Sequence, residues 1–252
     1  QDERVFELLK EANMSIIEDF KTKLAKGEED ENYPGYKMVL ELGWCLFQNE
    51  RFDEAVKLLE ENEPTDEEDL YGYTNLFGRV LYQMDEYERA LPYLERWKEM
   101  LMNMVDDGTE TTQQRLTRRN MACGILGATY FSLDQNEKAE EMVNKAIEVA
   151  GDLVEKLDSM RQLASMCLRW KEYEKVVDIC DQIIEIDDQY YPAFVMHQEA
   201  CYELTKAQEV VDDYHRAVQI YPGYFKPYLL AAEVYFYYDQ FEDGLETIKH
   251  AE

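Results

Sequence analysis

Apolar residues recur along the chain three or four positions apart, and short polar segments separate the apolar runs. The polar segments QNERF, QMDEY and LDQNE, for example, follow the runs that end in LGWCLF, GRVLY and ATYFS. This period is typical of amphipathic helices, and a chain with only six prolines and eleven glycines has few residues that end helices. The pattern therefore predicts an all-α protein made of successive antiparallel helix pairs.

The helix pairs form six repeats with a period of about 34 residues. Successive repeats start 35, 49, 37, 34 and 34 residues apart, as measured between matching positions of their first helices. One pair cannot bury its apolar face alone, so neighbouring pairs are expected to stack around a continuous core. Small residues should mark the close approaches, with Gly43 against Ala55 and Gly78 against Ala90.

The segments LGWCLFQNERFDEAVKLLEENEP and ERALPYLERW resemble the tetratricopeptide repeat. That pattern has a Leu-Gly pair, an aromatic residue three positions later, an alanine twelve after the glycine and a terminal proline. The resemblance covers residues 35–252 and departs from the pattern at His197, Gln198 and Asn136. It implies a right-handed α-solenoid of stacked antiparallel helix pairs, a TPR-like superhelix that binds other polypeptides.

Two segments lie outside the regular period. Residues 1–34 are predicted to form an N-terminal capping helix followed by the acidic loop GEEDENYPG, before a repeat domain over residues 35–252. That domain contains an insertion at about residues 100–120, which we expect to lengthen two helices around an Asp-Asp-Gly turn. Because the chain opens at Gln1 and stops at Glu252 inside a helical pattern, we also expect it to be a piece of a longer protein.

The chain is strongly acidic, with 55 aspartates and glutamates against 26 lysines and arginines and a formal net charge of −29. Such a surface repels the phosphates of nucleic acids and of anionic membranes, so neither is expected as a partner. The simplest role of the acidity is solubility. Five cysteines without paired spacing predict neither disulfides nor a zinc site, which indicates a reducing, cytoplasmic location.

No motif for chemistry is present in the sequence. The three histidines do not stand in a metal-ligand spacing such as HExxH, and there is no P-loop, dinucleotide fingerprint or nucleophile elbow. His197 occupies a position where the repeat usually buries a leucine, and we interpret it as a hydrogen-bonded core histidine. We therefore predict no catalytic, cofactor-binding or metal-binding residues, no cofactor and no enzymatic activity.

The resemblance implies that the first helix of each pair lines a concave groove that binds a peptide. The matching positions in this chain are Lys37, Trp44, Phe47, Asn75, Arg79, Tyr82, Phe131, Arg161 and Tyr202. The aromatic members either contact the ligand or pack between helices, and the arginines either hold a carboxylate or are solvated. The clamp with which some family members grip a C-terminal carboxylate is not matched here.

The insertion offers a secondary surface, which consists of Met102, Arg115, Arg118 and Arg119. Methionine recurs at adaptable binding surfaces, but a helical methionine run is more often core, and the arginines could pair with neighbouring acids. The leading hypothesis is a cytoplasmic scaffold whose groove holds a peptide or protein segment. The alternatives are a peptide-sensing regulatory domain, a substrate-binding arm of a larger chaperone-type protein, and self-association through the terminal repeats.

Overall fold

The computed structural model describes residues 2–26, 35–104 and 110–251, and the side chains of the first helix from Met14 onward. Every element within these ranges is a helix, and no strand occurs in them. The elements are α1 (Asp2–Lys26), α2 (Tyr36–Gln48), α3 (Phe52–Glu61), α4 (Glu67–Gln83), α5 (Tyr87–Asn103), α6 (Thr112–Ser132), α7 (Asn136–Glu148), α8 (Leu153–Trp170), α9 (Tyr173–Ile186), α10 (Tyr191–Glu203), α11 (Ala207–Ile220), α12 (Lys226–Tyr237) and α13 (Phe241–His250). The predicted all-α solenoid is confirmed.

A left-handed residue joins the two helices of every pair. Its φ lies between 56° and 63° in each case, and the six residues are Glu50, Asp85, Asp134, Lys171, Thr205 and Asp239. They follow one another at the same intervals of 35, 49, 37, 34 and 34 residues that the sequence repeat shows. The backbone thus adopts one turn geometry six times, in the predicted register.

Each turn closes with the hydrogen bonds of a Schellman cap. In the first pair the amide of Arg51 donates to the carbonyl of Leu46 at 2.9 Å, and in the fifth the amide of Lys206 donates to Cys201 at 2.9 Å. These bonds satisfy carbonyls that the helix end would otherwise leave unpaired. A non-glycine residue at a left-handed position costs about 1 kcal/mol, which the caps and the burial of both helices offset.

The structure divides into two compact units, and the first comprises residues 1–111 and 121–139. Its core includes Leu42, Leu46 and Leu59, none more than 1% exposed. The predicted close approaches occur at Gly43 and Gly78, but their partners differ from the predicted alanines. A Cβ on Gly43 would lie 2.6 Å from Leu76 and 3.8 Å from Leu59, and one on Gly78 would lie 2.8 Å from Leu94. Leucines, not alanines, fill the space that each glycine leaves.

Helix α1 packs against the first pair. Ile17 is fully buried, and the Lys21 ammonium lies 2.9 Å from a Glu54 carboxylate oxygen. Arg51 donates to the Met14 sulfur at 3.3 Å. The acidic loop falls at residues 27–34, outside the described residues, so its predicted form and the domain boundary at residue 34 stay predictions.

Both helices beside the insertion are long. Helix α5 has 17 residues, against 10 to 14 in the second helices of the other pairs. Helix α6 has 21, against 12 to 18 in the first helices of the other pairs. The Asp-Asp-Gly turn lies at residues 106–108, outside the described part of the chain. The second interval, of 49 residues, exceeds the period by about 14, and the described residues on either side of the undescribed segment are helical. The insertion and its bounds stay predictions.

The second unit comprises residues 112–120 and 140–252. Its helices are bridged by buried amides as well as by apolar contacts. The Gln198 side chain, fully buried, donates to the carbonyls of Val210 at 3.0 Å and Pro227 at 3.1 Å, so one amide joins α10, α11 and α12. This residue replaces the glycine of the repeat pattern, and its hydrogen bonds explain how the fifth repeat tolerates the departure. None of the five cysteines forms a disulfide bond.

Candidate functional site

A half-buried cluster occupies the neighbouring first helices of two pairs in the first unit. Trp44 and Phe47 stand on α2, and Asn75 and Arg79 stand one turn apart on α4. The two helices are neighbours, because Gly72 of α4 lies directly against Leu40 of α2. We call the four residues Trp44, Phe47, Asn75 and Arg79 the α2–α4 face.

Arg79 stacks on the two aromatic rings of this face. Its guanidinium carbon lies 5.1 Å from the centre of the Trp44 ring and 5.3 Å from that of Phe47. Both distances are within the range of cation–π attraction. Trp44 and Phe47 themselves meet edge to face, with centroids 5.6 Å apart. The rings therefore hold the guanidinium in one place and leave its N–H donors for other partners.

No carboxylate pairs with Arg79 among the residues that the structure describes. Its pKa is lowered from the usual value, and the cause is burial alone, with no acidic neighbour acting on it. Other arginines have acidic partners: Arg51 lies 2.5 Å from Glu54, and Arg89 lies 2.6 Å from Glu60. In a chain with 55 acidic residues, a half-buried arginine without one is unusual.

Asn75 adds an unsatisfied acceptor to the same face. Its side-chain oxygen is enclosed and has no hydrogen-bond partner within the described residues. An unpaired buried oxygen is rare, because buried polar atoms are nearly always hydrogen-bonded. The α2–α4 face thus offers N–H donors from Arg79, beside the enclosed side-chain oxygen of Asn75.

Two of the aromatic residues predicted to line the groove, Phe47 and Tyr82, pack between helices. Phe47 meets Phe52 of α3 with ring centroids 5.7 Å apart, and Tyr82 meets Tyr87 of α5 at 5.6 Å. Burial, and then the charge of Asp85, raise the pKa of Tyr82. Of the two interpretations left open, packing between helices accounts for these contacts.

Two further predicted residues also belong to the first unit. The Lys37 side chain is 74% exposed, and its ammonium lies 3.8 Å from Glu41, one turn along α2. Phe131, on α6, is half-buried.

Arg161 and Tyr202 belong to the second unit. The Arg161 Nε lies 3.6 Å from the Asp158 carboxylate, one turn earlier on α8. The Tyr202 hydroxyl donates to Glu233 at 2.6 Å, and this hydrogen bond, together with burial, raises the pKa of Tyr202. Both residues thus have partners within their own unit, and a groove that unites them with the α2–α4 face stays a prediction.

The secondary surface is also divided between the units. Met102 lies half-buried near the end of α5 in the first unit. Arg115, Arg118 and Arg119 are half-buried on the part of α6 that belongs to the second unit. Each of the four has interactions within the protein, so the interpretation that they serve packing and pairing is favoured over a free docking surface.

One cluster of potential metal ligands was missed by the sequence analysis. Ligand atoms of His197, Cys201 and Asp213 lie within 4.8 Å of one another, and all three residues are buried. The prediction that the chain has no metal-binding residue stays a prediction. His197 and Cys201 stand one turn apart on α10, but Asp213 comes from the next helix, so no short motif reveals the group.

Comparison with known proteins identifies the class to which this fold belongs. A family model described as "Tetratricopeptide repeat" matches residues 122–153, one repeat of the chain. The comparison with curated protein sequences finds no match. Solved structures do match: that of the "MamA RS-1 ArsTM double mutant" is 12% identical, with a TM-score of 0.58, over 73% of this chain and 93% of the other.

Two other structures extend this likeness. A crystal structure of MamA is 14% identical, with a TM-score of 0.55, over 69% of this chain and 91% of the other. That of YrrB, described as a TPR protein with an unusual peptide-binding site, is 18% identical, with a TM-score of 0.52, over 79% and 90%. The chain therefore has the fold of tetratricopeptide-repeat proteins, a class that generally provides non-catalytic scaffolds for protein interactions.

None of the described helices combines the length and the apolar character that a membrane crossing requires. The cytoplasmic location, the absence of enzymatic activity and the self-association through terminal repeats stay predictions.

Proposed function

We propose that the chain is an interaction scaffold whose α2–α4 face binds a carboxylate-bearing peptide segment. The observation that carries this proposal is Arg79: a half-buried cation, stacked on Trp44 and Phe47, with no acidic partner among the described residues. A guanidinium binds a carboxylate through two parallel hydrogen bonds, and partial desolvation strengthens them. The aromatic rings hold the Arg79 guanidinium in place, so its side chain loses little conformational entropy when the ligand binds.

The rest of the face fits a peptide. Asn75, one helical turn from Arg79, adds a half-buried polar side chain to the same face. The Trp44 ring provides apolar area beside both groups. Tryptophan and arginine are the residues most often responsible for binding energy at protein interfaces.

The charge of the whole chain restricts the partner further. A net charge of −29 repels acidic polypeptides at long range. The partner segment should therefore present one carboxylate among neutral or basic residues, so that its net charge steers it toward the scaffold while the carboxylate reaches Arg79.

The test begins with selection from a random peptide library displayed on phage, using the wild-type chain as bait and the Arg79→Glu variant for counter-selection. Dissociation constants of the selected peptides are then measured by fluorescence anisotropy. We expect Arg79→Ala and Trp44→Ala each to weaken binding about 30-fold, the effect of a typical hot spot. Arg89→Ala is the matched control, since Arg89 is an arginine of the same unit that pairs with Glu60.

Two results would contradict the proposal. The first is that the selection yields no peptide that binds the wild type better than the Arg79→Glu variant. The second is that the Arg79→Ala and Arg89→Ala variants bind the selected peptides with equal affinity. Amidated and free-acid forms of each peptide distinguish a terminal carboxylate from a side-chain one. The variant Arg161→Glu tests whether the second unit contributes to the same site. Equal binding by that variant would limit the site to the first unit.

A further inference from the structure

We propose that His197, Cys201 and Asp213 form a zinc site inside the fifth repeat. The Nδ1 atom of His197 lies 2.5 Å from the Asp213 carboxylate and 3.6 Å from the Cys201 sulfur. A tetrahedral zinc ion holds a nitrogen and a sulfur ligand about 3.6 Å apart, given the usual bond lengths. The Cys201 sulfur also lies 3.9 Å from the Nε2 atom, so it stands beside the imidazole ring. To bind an ion at Nδ1, the Cys201 side chain needs to turn outward and the carboxylate needs to retreat by about 1 Å.

A carboxylate also lies near the second ring nitrogen of His197. Its Nε2 lies 3.4 Å from the Asp181 Oδ1 on α9. A histidine that binds zinc through one nitrogen characteristically donates the other N–H to a carboxylate, which fixes the ring and its tautomer. The Asp181 side chain is 61% exposed, whereas that of His197 is 11% exposed, so Asp181 also marks the side from which an ion could enter.

The ligand set suits zinc in chemistry and charge. One imidazole, one thiolate and one carboxylate are a donor set typical of Zn²⁺, with water as the fourth ligand. The two anionic ligands neutralise the two positive charges of the ion, so the buried complex carries no net charge. A buried group of charges is tolerated under that condition.

Stability alone gives no reason for these residues. In the earlier repeats of this chain the position of Asp213 holds Leu58, Tyr93, Met142 and Ile179. A buried ion pair usually stabilises a protein no better than apolar residues of similar size. The fifth repeat has nonetheless exchanged apolar residues for histidine and aspartate at two positions that meet around Cys201.

The test is titration of the purified, chelator-treated chain with Co²⁺, whose thiolate charge-transfer absorption reports a cysteine ligand, followed by competition with Zn²⁺. We expect one ion per chain, a thiolate band, and its displacement by zinc. Cys201→Ala should abolish the band and weaken binding at least tenfold. Asp181→Asn, at an exposed side chain that leaves the core intact, should weaken binding 10- to 100-fold.

Controls separate this site from the many surface carboxylates and from other thiols. Excess Mg²⁺ occupies weak carboxylate sites, and Cys45→Ala removes the one cysteine that is not fully buried. Neither should change the band. A wild-type chain without a thiolate band would overturn the proposal, as would a band that survives in Cys201→Ala. Circular dichroism of each variant confirms its fold, and Asp181→Asn provides the answer if Cys201→Ala does not fold.

Discussion

Replacing His197 with leucine is expected to lower the free energy of unfolding by about 3 to 5 kcal/mol when the chain is metal-free, because Asp213 is then left as an unpaired buried acid. The Asp213 side chain is only 6% exposed, and His197 is its partner at 2.5 Å. Burial disfavours the imidazolium, but the hydrogen bonds and charges of Asp213 and Cys201 outweigh it and raise the pKa of His197 to about 10. The measurement is chemical denaturation in a chelator-containing buffer.

The double variant His197→Leu with Asp213→Leu is the matched control. Earlier repeats hold Leu42, Leu126 and Leu163 at the position of His197 and Leu58 at that of Asp213, so the repeat accommodates leucine at both places. We expect the double variant to be as stable as the wild type or more stable, since an apolar pair avoids the desolvation of two charges. A double variant as unstable as the single one would show that shape, not charge, sets the cost.

The register of the fold was predictable because it depends on local, repeated chemistry. A turn that reverses the chain needs a polar segment, and the residues that adopt positive φ fall at the intervals that the apolar pattern already shows. The partners of the glycines were not predictable in the same way. Sequence spacing tells which positions are small, but Gly43 meets Leu76 of the following repeat, a contact set by how neighbouring pairs pack.

In the candidate site, too, some features could be predicted from the sequence and others could not. The face of a helix follows from its period, so Trp44 and Arg79 could be assigned to equivalent helices, and the structure stacks one on the other. Whether an arginine forms an ion pair is harder to predict. The composition of the chain does not tell whether an acidic residue lies beside the arginine in the fold. The sequence analysis therefore assigned the same possible roles to Arg79 and Arg161, although of the two only Arg161 has a neighbouring carboxylate among the described residues.

Gly78→Ala is expected to lower the free energy of unfolding by about 2 kcal/mol, although alanine favours helix by about 1 kcal/mol over glycine. A Cβ at this position would lie 2.8 Å from the Leu94 side chain and 3.2 Å from the Leu94 backbone nitrogen. The side chain can rotate, but the backbone of α5 cannot move without opening the α4–α5 interface. Thermal and chemical denaturation of the variant measure the effect.

Gly72→Ala on the same helix is the matched comparison. Its Cβ would meet only the flexible end of Leu40, which is itself half-buried and has room to rotate. We therefore expect an unchanged stability or a gain of up to about 1 kcal/mol from helix propensity. Equal losses of stability in both variants would contradict this explanation. They would show that crowding of side chains, and not the backbone of α5, determines how closely the helices pack at these glycines. Because α4 also carries Asn75 and Arg79, we expect Gly78→Ala to weaken peptide binding as well.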